Sequence, residues 1–125
     1  MSLLRPSLTL EEIMERLQVV ATTLSVTNTA LFTAVPTGKF RYVVAIILIG
    51  DGVASRTVTI QKLAGTTYTT VFPSIPVPPA AVQPLPPTTY DLFRPIITCE
   101  DATQLYAAAN AGAPYAVVIY WDSER

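Results

Sequence analysis

Residues 39–52 read KFRYVVAIILIGDG, and the reading of this stretch decides the fold. A basic, aromatic opening leads into seven unbroken apolar residues, Val43 to Ile49, and Gly50-Asp51-Gly52 stops the run. Seven residues fall far short of the roughly 18 that cross a bilayer, so the run is an element buried in protein. Its β-branched content favours a strand over a helix. A sandwich strand with one wet face alternates apolar and polar residues, and this one does not. Successive strand side chains point to opposite faces. Val43, Ala45, Ile47 and Ile49 are therefore predicted on one face, and Val44, Ile46 and Leu48 on the other. One set fills a core. The other needs a cover, either an N-terminal helix or a neighbouring subunit. Three large aliphatics gain about 5–9 kcal/mol together on burial. Left wet, they form an aggregation-prone patch.

Working outward, 28–35 (NTALFTAV) reads as a strand ending at the turn Pro36-Thr37-Gly38. SRTVTIQKL, 55–63, alternates with Val58 and Ile60 inward. Ala64-Gly65 closes a hairpin into TTYTTVF, 66–72. Further strands are predicted at 88–94, 95–99, 103–110 and 113–121, the last two joined by a turn over 110–114. The fold class is all-β: a jelly-roll-like antiparallel β-sandwich of about eight strands with one N-terminal amphipathic helix.

That helix is predicted over 8–24, LTLEEIMERLQVVATTL. Thr9 caps it, and Glu12 completes a capping box. Leu10, Ile13, Leu17, Val20 and Leu24 fall on one stripe. The stripe packs on a sheet or meets symmetry mates around an axis. Residues 1–26 thus form a helical segment, and 27–125 a sandwich domain. The sandwich includes a Pro-rich arm over 73–87 with seven prolines. Proline fixes φ and lacks a donor, so the arm is read as an extended excursion, never a central strand. It serves as a passive loop, as a strap across a neighbouring subunit, or as an SH3-type ligand. The strap reading places Pro76, Pro78, Pro79, Pro84 and Pro86 at a partner interface. Leu10, Ile13 and Leu17, with Val44, Ile46 and Leu48, are the other candidate interface residues.

Half of the 125 residues are apolar and 14% are charged, against about 25% in ordinary domains. A protein that covers much of its surface with copies of itself fits that deficit. Net charge is −1, with Lys and Arg scattered singly. No basic stripe offers itself to phosphates, so nucleic acid is not an expected partner. MSLLRPSLTLEE turns acidic before any apolar h-region, so no signal peptide and no membrane association are expected. Cys99 is the one cysteine, which excludes an intrachain disulfide and is read as a small buried hydrophobe.

Catalytic motifs are absent. With no His, Ser/His and Cys/His nucleophile systems cannot form in one chain. The acidic groups Glu11/Glu12/Glu15 and Glu100/Asp101 read as a solvated helix face and a turn. Gly50-Asp51-Gly52 lacks the P-loop arrangement and reads as a plain turn. No cofactor and no enzyme activity are expected. Tyr115, Tyr120 and Trp121 read as core packing or a subunit contact, or as an aromatic platform with Tyr120 and Trp121 as a sugar shelf, although alternation sets those two on opposite faces.

Two stretches carry a resemblance. ALFTAVPTGKFRYVVAIILIGDG, with its turn Thr33-Ala34-Val35-Pro36-Thr37-Gly38-Lys39, resembles the opening of small β-sandwich proteins of tailed-phage and related virus particles. PIITCEDATQLYAAANAGAPYAVVIYW looks like the ending of the same proteins, with Glu100-Asp101 where a Gly-Asp turn is common. The likeness covers about 29–121. It implies a virion structural protein, made in the host cytoplasm, in a capsid decoration, minor capsid or fibre role. It also implies a symmetric homo-oligomer, often a trimer, in contact with other virion proteins. The alternative expectation is a carbohydrate-binding module of a fibre or cell surface.

Overall fold

The computed structural model describes residues 9–85 and 95–124. Among the described residues, helix α1 (Leu10–Arg16) precedes nine strands: β1 (Gln18–Thr23), β2 (Thr29–Ala30), β3 (Lys39–Ile49), β4 (Arg56–Ala64), β5 (Thr67–Val77), β6 (Val82–Leu85), β7 (Ile97–Cys99), β8 (Gln104–Ala109) and β9 (Tyr115–Glu124). All pairings are antiparallel. One sheet runs β1-β9-β3-β6, with β7 also on β3; the other runs β2-β8-β4-β5. The late strands thus insert between early ones, β9 between β1 and β3 and β8 between β2 and β4. This is jelly-roll order, with β7 as an extra short strand. The predicted all-β sandwich is what the chain forms.

The core lies between the sheets. Val43, Ile46 and Leu48 of β3 and Ala116 and Val118 of β9 meet Val58 and Ile60 of β4 and Leu105, Ala107 and Ala109 of β8. Alternate β8 residues are buried, as a one-sided strand requires. Ala64 pairs with Thr67 across a two-residue turn. Gly65 opens that turn at φ +64°, a left-handed conformation that glycine adopts without steric cost.

The long aliphatic strand departs from strict alternation. Its ladder with β9 steps from Val43↔Tyr120 to Ala45↔Ile119, leaving Val44 as an extra residue. Such a bulge reverses which parity faces inward. Before it, Val43 faces the core; after it, Ile46 and Leu48 do. Val44 joins a separate cluster with Ile13, Tyr42 and Trp121 on the sheet's far side. The predicted face of Val44, Ile46 and Leu48 is therefore split. All three are buried within one chain and none lies at a free surface.

The N-terminal helix is shorter than its apolar stripe predicts. The Thr9–Glu12 capping box is present, but the chain turns extended at Leu17 (φ −61°, ψ 133°). QVVATT then pairs with β9 along its whole length. Two Val and two Thr favour the strand, and a ready ladder overrides the helical spacing. The sandwich consequently begins at Gln18, inside the segment read as helical.

The Pro-rich stretch is also part of the body. Its first residues complete β5, where Thr57↔Pro76 and Arg56↔Val77 pair with β4, and Val82–Leu85 forms β6 on β3. Proline is tolerated because both are edge strands. The turn between them is tied down by Gly52 N–H to Pro79 C=O (2.8 Å) and Gly50 N–H to Ala81 C=O (3.0 Å). No excursion occurs over 73–85; Pro86, Pro87 and the strand predicted at 88–94 lie outside the described residues.

Candidate interaction surface

The far face of the five-stranded sheet has two ends. At one end α1 seals an aromatic cluster. Ile13, Tyr42 and Trp121 are fully buried there, Val44 nearly so, with Leu17 and Phe40 packed at the margin. Tyr42 and Trp121 stack with ring centroids 4.7 Å apart. Ile13 is the helix residue that does the sealing. Leu10 is half exposed and Leu17 only partly buried. A helix of seven residues is about 10 Å long, too short to reach the other end.

Beyond the helix, paired positions share a face and line up in rows. Val19, Ile119 and Ala45 form one; Ala21, Val117, Ile47 and Pro84 the next; Thr23, Tyr115, Ile49 and Val82 the last. Thr23 and the phenol of Tyr115 are the polar groups, and none is charged. Val19, Tyr115 and Val82 are 65%, 49% and 59% exposed. Ile47, Ile49, Val117 and Ile119 are half-buried. The rim of the last row is fixed by Asp51. Its carboxylate accepts from Val53 N–H (2.9 Å), Arg56 Nε (2.8 Å) and Ala113 N–H (3.3 Å). These bonds, led by Val53 N–H, hold the carboxyl below its ordinary pKa. Gly112 carries no side chain because a Cβ there would strike Asp51 and Arg56.

At the inner margin, Arg41 lies between the rings of Phe32 (4.8 Å) and Tyr120 (4.2 Å). It donates to Asp122 through Nε (2.8 Å) and Nη2 (2.9 Å) and to Thr33 C=O through Nη1 (3.0 Å). Burial works most strongly against its charge, but the Asp122 hydrogen bond and the nearby negative charge of Asp122, together with smaller contributions from Tyr120 and Cys99, exceed it, and the pKa is raised. Burial likewise raises the Cys99 thiol. Tyr120 lines an open cleft of about 430 Å³ with Arg16, Gln18, Lys39, Asp122 and Glu124. Trp121, its proposed companion in a sugar shelf, points to the other face and is fully buried under α1. It offers no surface to a ligand.

The predicted interface residues therefore scatter. Pro76 and Pro78 are exposed on the β5 side, Pro79 is half-buried in the following turn, and Pro84 alone lands on the apolar rows. Sequence reasoning missed Val19, Ala21, Val82 and Val117; it singles out Tyr115, as a packing or subunit-contact residue or part of a sugar platform. The signal that could have found this face is APYAVVIYW itself, an unbroken apolar run whose second face is as apolar as its first. Among the described residues, no group of three or more His, Cys, Asp or Glu is placed to hold a metal, and no helix is long and apolar enough to cross a membrane. No protein-family model matches the chain, and no curated protein matches it.

Proposed function

We propose that this chain is a structural protein of a virus or phage particle, acting by self-association and by apolar contact with neighbouring particle proteins. The carrying observation is the uncharged outer surface of the five-stranded sheet, open beyond the reach of α1. Exposed contiguous apolar surface marks a contact site, and low overall charge leaves association unopposed. The fold supports the reading by analogy, since jelly rolls recur in viral capsid and lectin domains. The resemblance over 29–121 supports it independently.

Light scattering at micromolar concentration tests the association. A mass that is a multiple of 13.5 kDa is expected, and a stable monomer overturns the reading. Tyr115→Glu with Val82→Glu should weaken assembly while the sandwich stays folded. Gene neighbourhood tests the particle assignment: a major capsid or portal gene next door is the expected finding.

A second reading, a carbohydrate-binding module, is favoured by the cleft beside Tyr120. An aromatic flanked by Gln18, Asp122, Glu124, Arg16 and Lys39 offers the mixed donors and acceptors that hydroxyls need. Glycan-array binding lost on Gln18→Ala supports this reading, and a native protein that binds no glycan removes it.

A further inference from the structure

The edges of the two sheets are protected unequally. β2 has two residues and β7 three. β6 contains Pro84. β5 contains Pro73 and Pro76, a positive φ at Ser74, and two register shifts against β4. Shortness, proline and bulges are the usual devices that stop an edge from pairing with another chain. β1 has none of them. Its six residues, QVVATT, include no Pro, Gly or charge, and its register with β9 is unbroken. Among the described residues β9 is its one strand neighbour. Gln18, Val19, Ala21 and Thr23 are exposed.

The free bonding groups can be assigned. Leu24 N–H donates to Pro114 C=O at 2.8 Å, which continues the β1–β9 ladder by one step. Antiparallel bonding alternates along a strand. Val20 and Thr22 therefore bond toward β9, while Val19, Ala21 and Thr23 turn N–H and C=O outward.

We infer that this edge receives β1 of a second copy, antiparallel, across a two-fold axis beside Ala21. The inference rests on the self-association reading above and adds a register to it. Centring on Ala21 sets Ala21 opposite Ala21 and Val19 opposite Thr23. Every outward donor and acceptor then meets its counterpart, and no like charges oppose. The contact also joins two outer faces into one surface, since Val19 and Ala21 continue the rows of Ile119 and Val117. A two-fold contact closes as a dimer, unlike the trimer that the resemblance implies.

Ala21→Cys tests the register. Residues opposite each other in a bonded antiparallel pair have Cα atoms about 5.5 Å apart, within disulfide range. The native Cys99 is buried and does not compete. Under mild oxidant, Ala21→Cys should cross-link into a covalent dimer. Thr23→Cys should not, because four strand residues, about 13 Å, separate its two copies. Ala21→Pro removes one outward N–H without touching the β9 ladder, and should reduce the dimer to a monomer with circular dichroism unchanged. If that variant fails to fold, the cysteine pair decides. A native protein that associates, with Ala21→Cys uncross-linked, overturns the edge contact and leaves self-association standing. A monomeric native protein overturns both.

Discussion

Strands β3 and β9 supply both surfaces of the five-stranded sheet, yet the two surfaces are finished differently. The inner one is closed over its centre by the second sheet, down to Ala107 and Ala109, and opens toward β1 and Tyr120. Among the described residues, α1 closes the outer one over Tyr42, Val44 and Trp121, while the rows beyond it keep Val19, Val82 and Tyr115 open. The difference teaches that an aliphatic run is not one signal. At its N-terminal end both faces are satisfied within the chain. At its C-terminal end one face, that of Ile47 and Ile49, is only half-buried within the chain.

The sharpest way to break this contrast is at the covered end. Trp121→Ala should cost about 3–5 kcal/mol, because a large buried aromatic leaves a cavity that rigid neighbours fill poorly. Urea denaturation followed by circular dichroism measures it. A cost under about 1 kcal/mol would mean that α1 does not seal the sheet, and that both ends of the outer face are alike.

Next comes Asp122→Ala, at about 3 kcal/mol, the low end for a broken buried pair because Asp122 is partly open. Arg41 would keep Thr33 and two rings but lose its countercharge. Pairing the change with Arg41→Met should recover part of the loss. That result would assign the inner margin to stability and separate it from the contact surface outside.

Asp51→Asn should have a smaller effect, visible as a change in pH dependence. The folded carboxyl ionises below its ordinary value, so protons bind the unfolded chain first. Its contribution is complete above the unfolded pKa of about 3.9 and is lost as pH falls below that. Thermal melts should show the native protein losing its advantage over Asp51→Asn only in acid. An equal gap at every pH would mean that the rim does not depend on the carboxylate charge.

Much of this architecture was legible. Alternation in SRTVTIQKL, the apolar β run APYAVVIYW, the Gly65 turn and the Thr9–Glu12 box follow from local chemistry, and each is found where local chemistry puts it. Three features were not legible, for physical reasons. The bulge at Val44 is set by how β3 seats on β9, so no local pattern in VVAIILI marks it. QVVATT has helical spacing on one reading and β-branched content on the other, and only the waiting β9 edge decides. PSIPVPPAAVQPLPP advertises proline, which excludes a central strand but is silent between a loose arm and an edge strand. The apolar rows were hidden as a consequence, because they draw on β1, β6 and β9 together.

The capping box sets a smaller test. Thr9→Ala should cost about 1 kcal/mol, since Thr9 Oγ1 accepts from Glu12 N–H and Glu12 Oε1 accepts from Thr9 N–H. Amide exchange should then quicken over Leu10–Arg16 and leave β3 and β9 unchanged, which would make the helix a locally detachable cover.

The smallest stability effect belongs to the bare end, and there it is most informative. Val82→Ser and Tyr115→Ser change side chains already open to water in one chain, so each should shift stability by no more than about 0.5 kcal/mol. Tyr115 pairs with Ile49 and with Thr23, and Val82 pairs with Ile49, so both substitutions fall on one row. If that row is a contact between subunits, association should weaken many-fold while the single-chain melt at high dilution hardly moves. The same pair of measurements on Trp121→Ala should give the opposite pattern, a large loss in the dilute melt. A bare end whose substitution changes both quantities in proportion would be ordinary packing surface, and the two ends of the sheet would differ in degree alone.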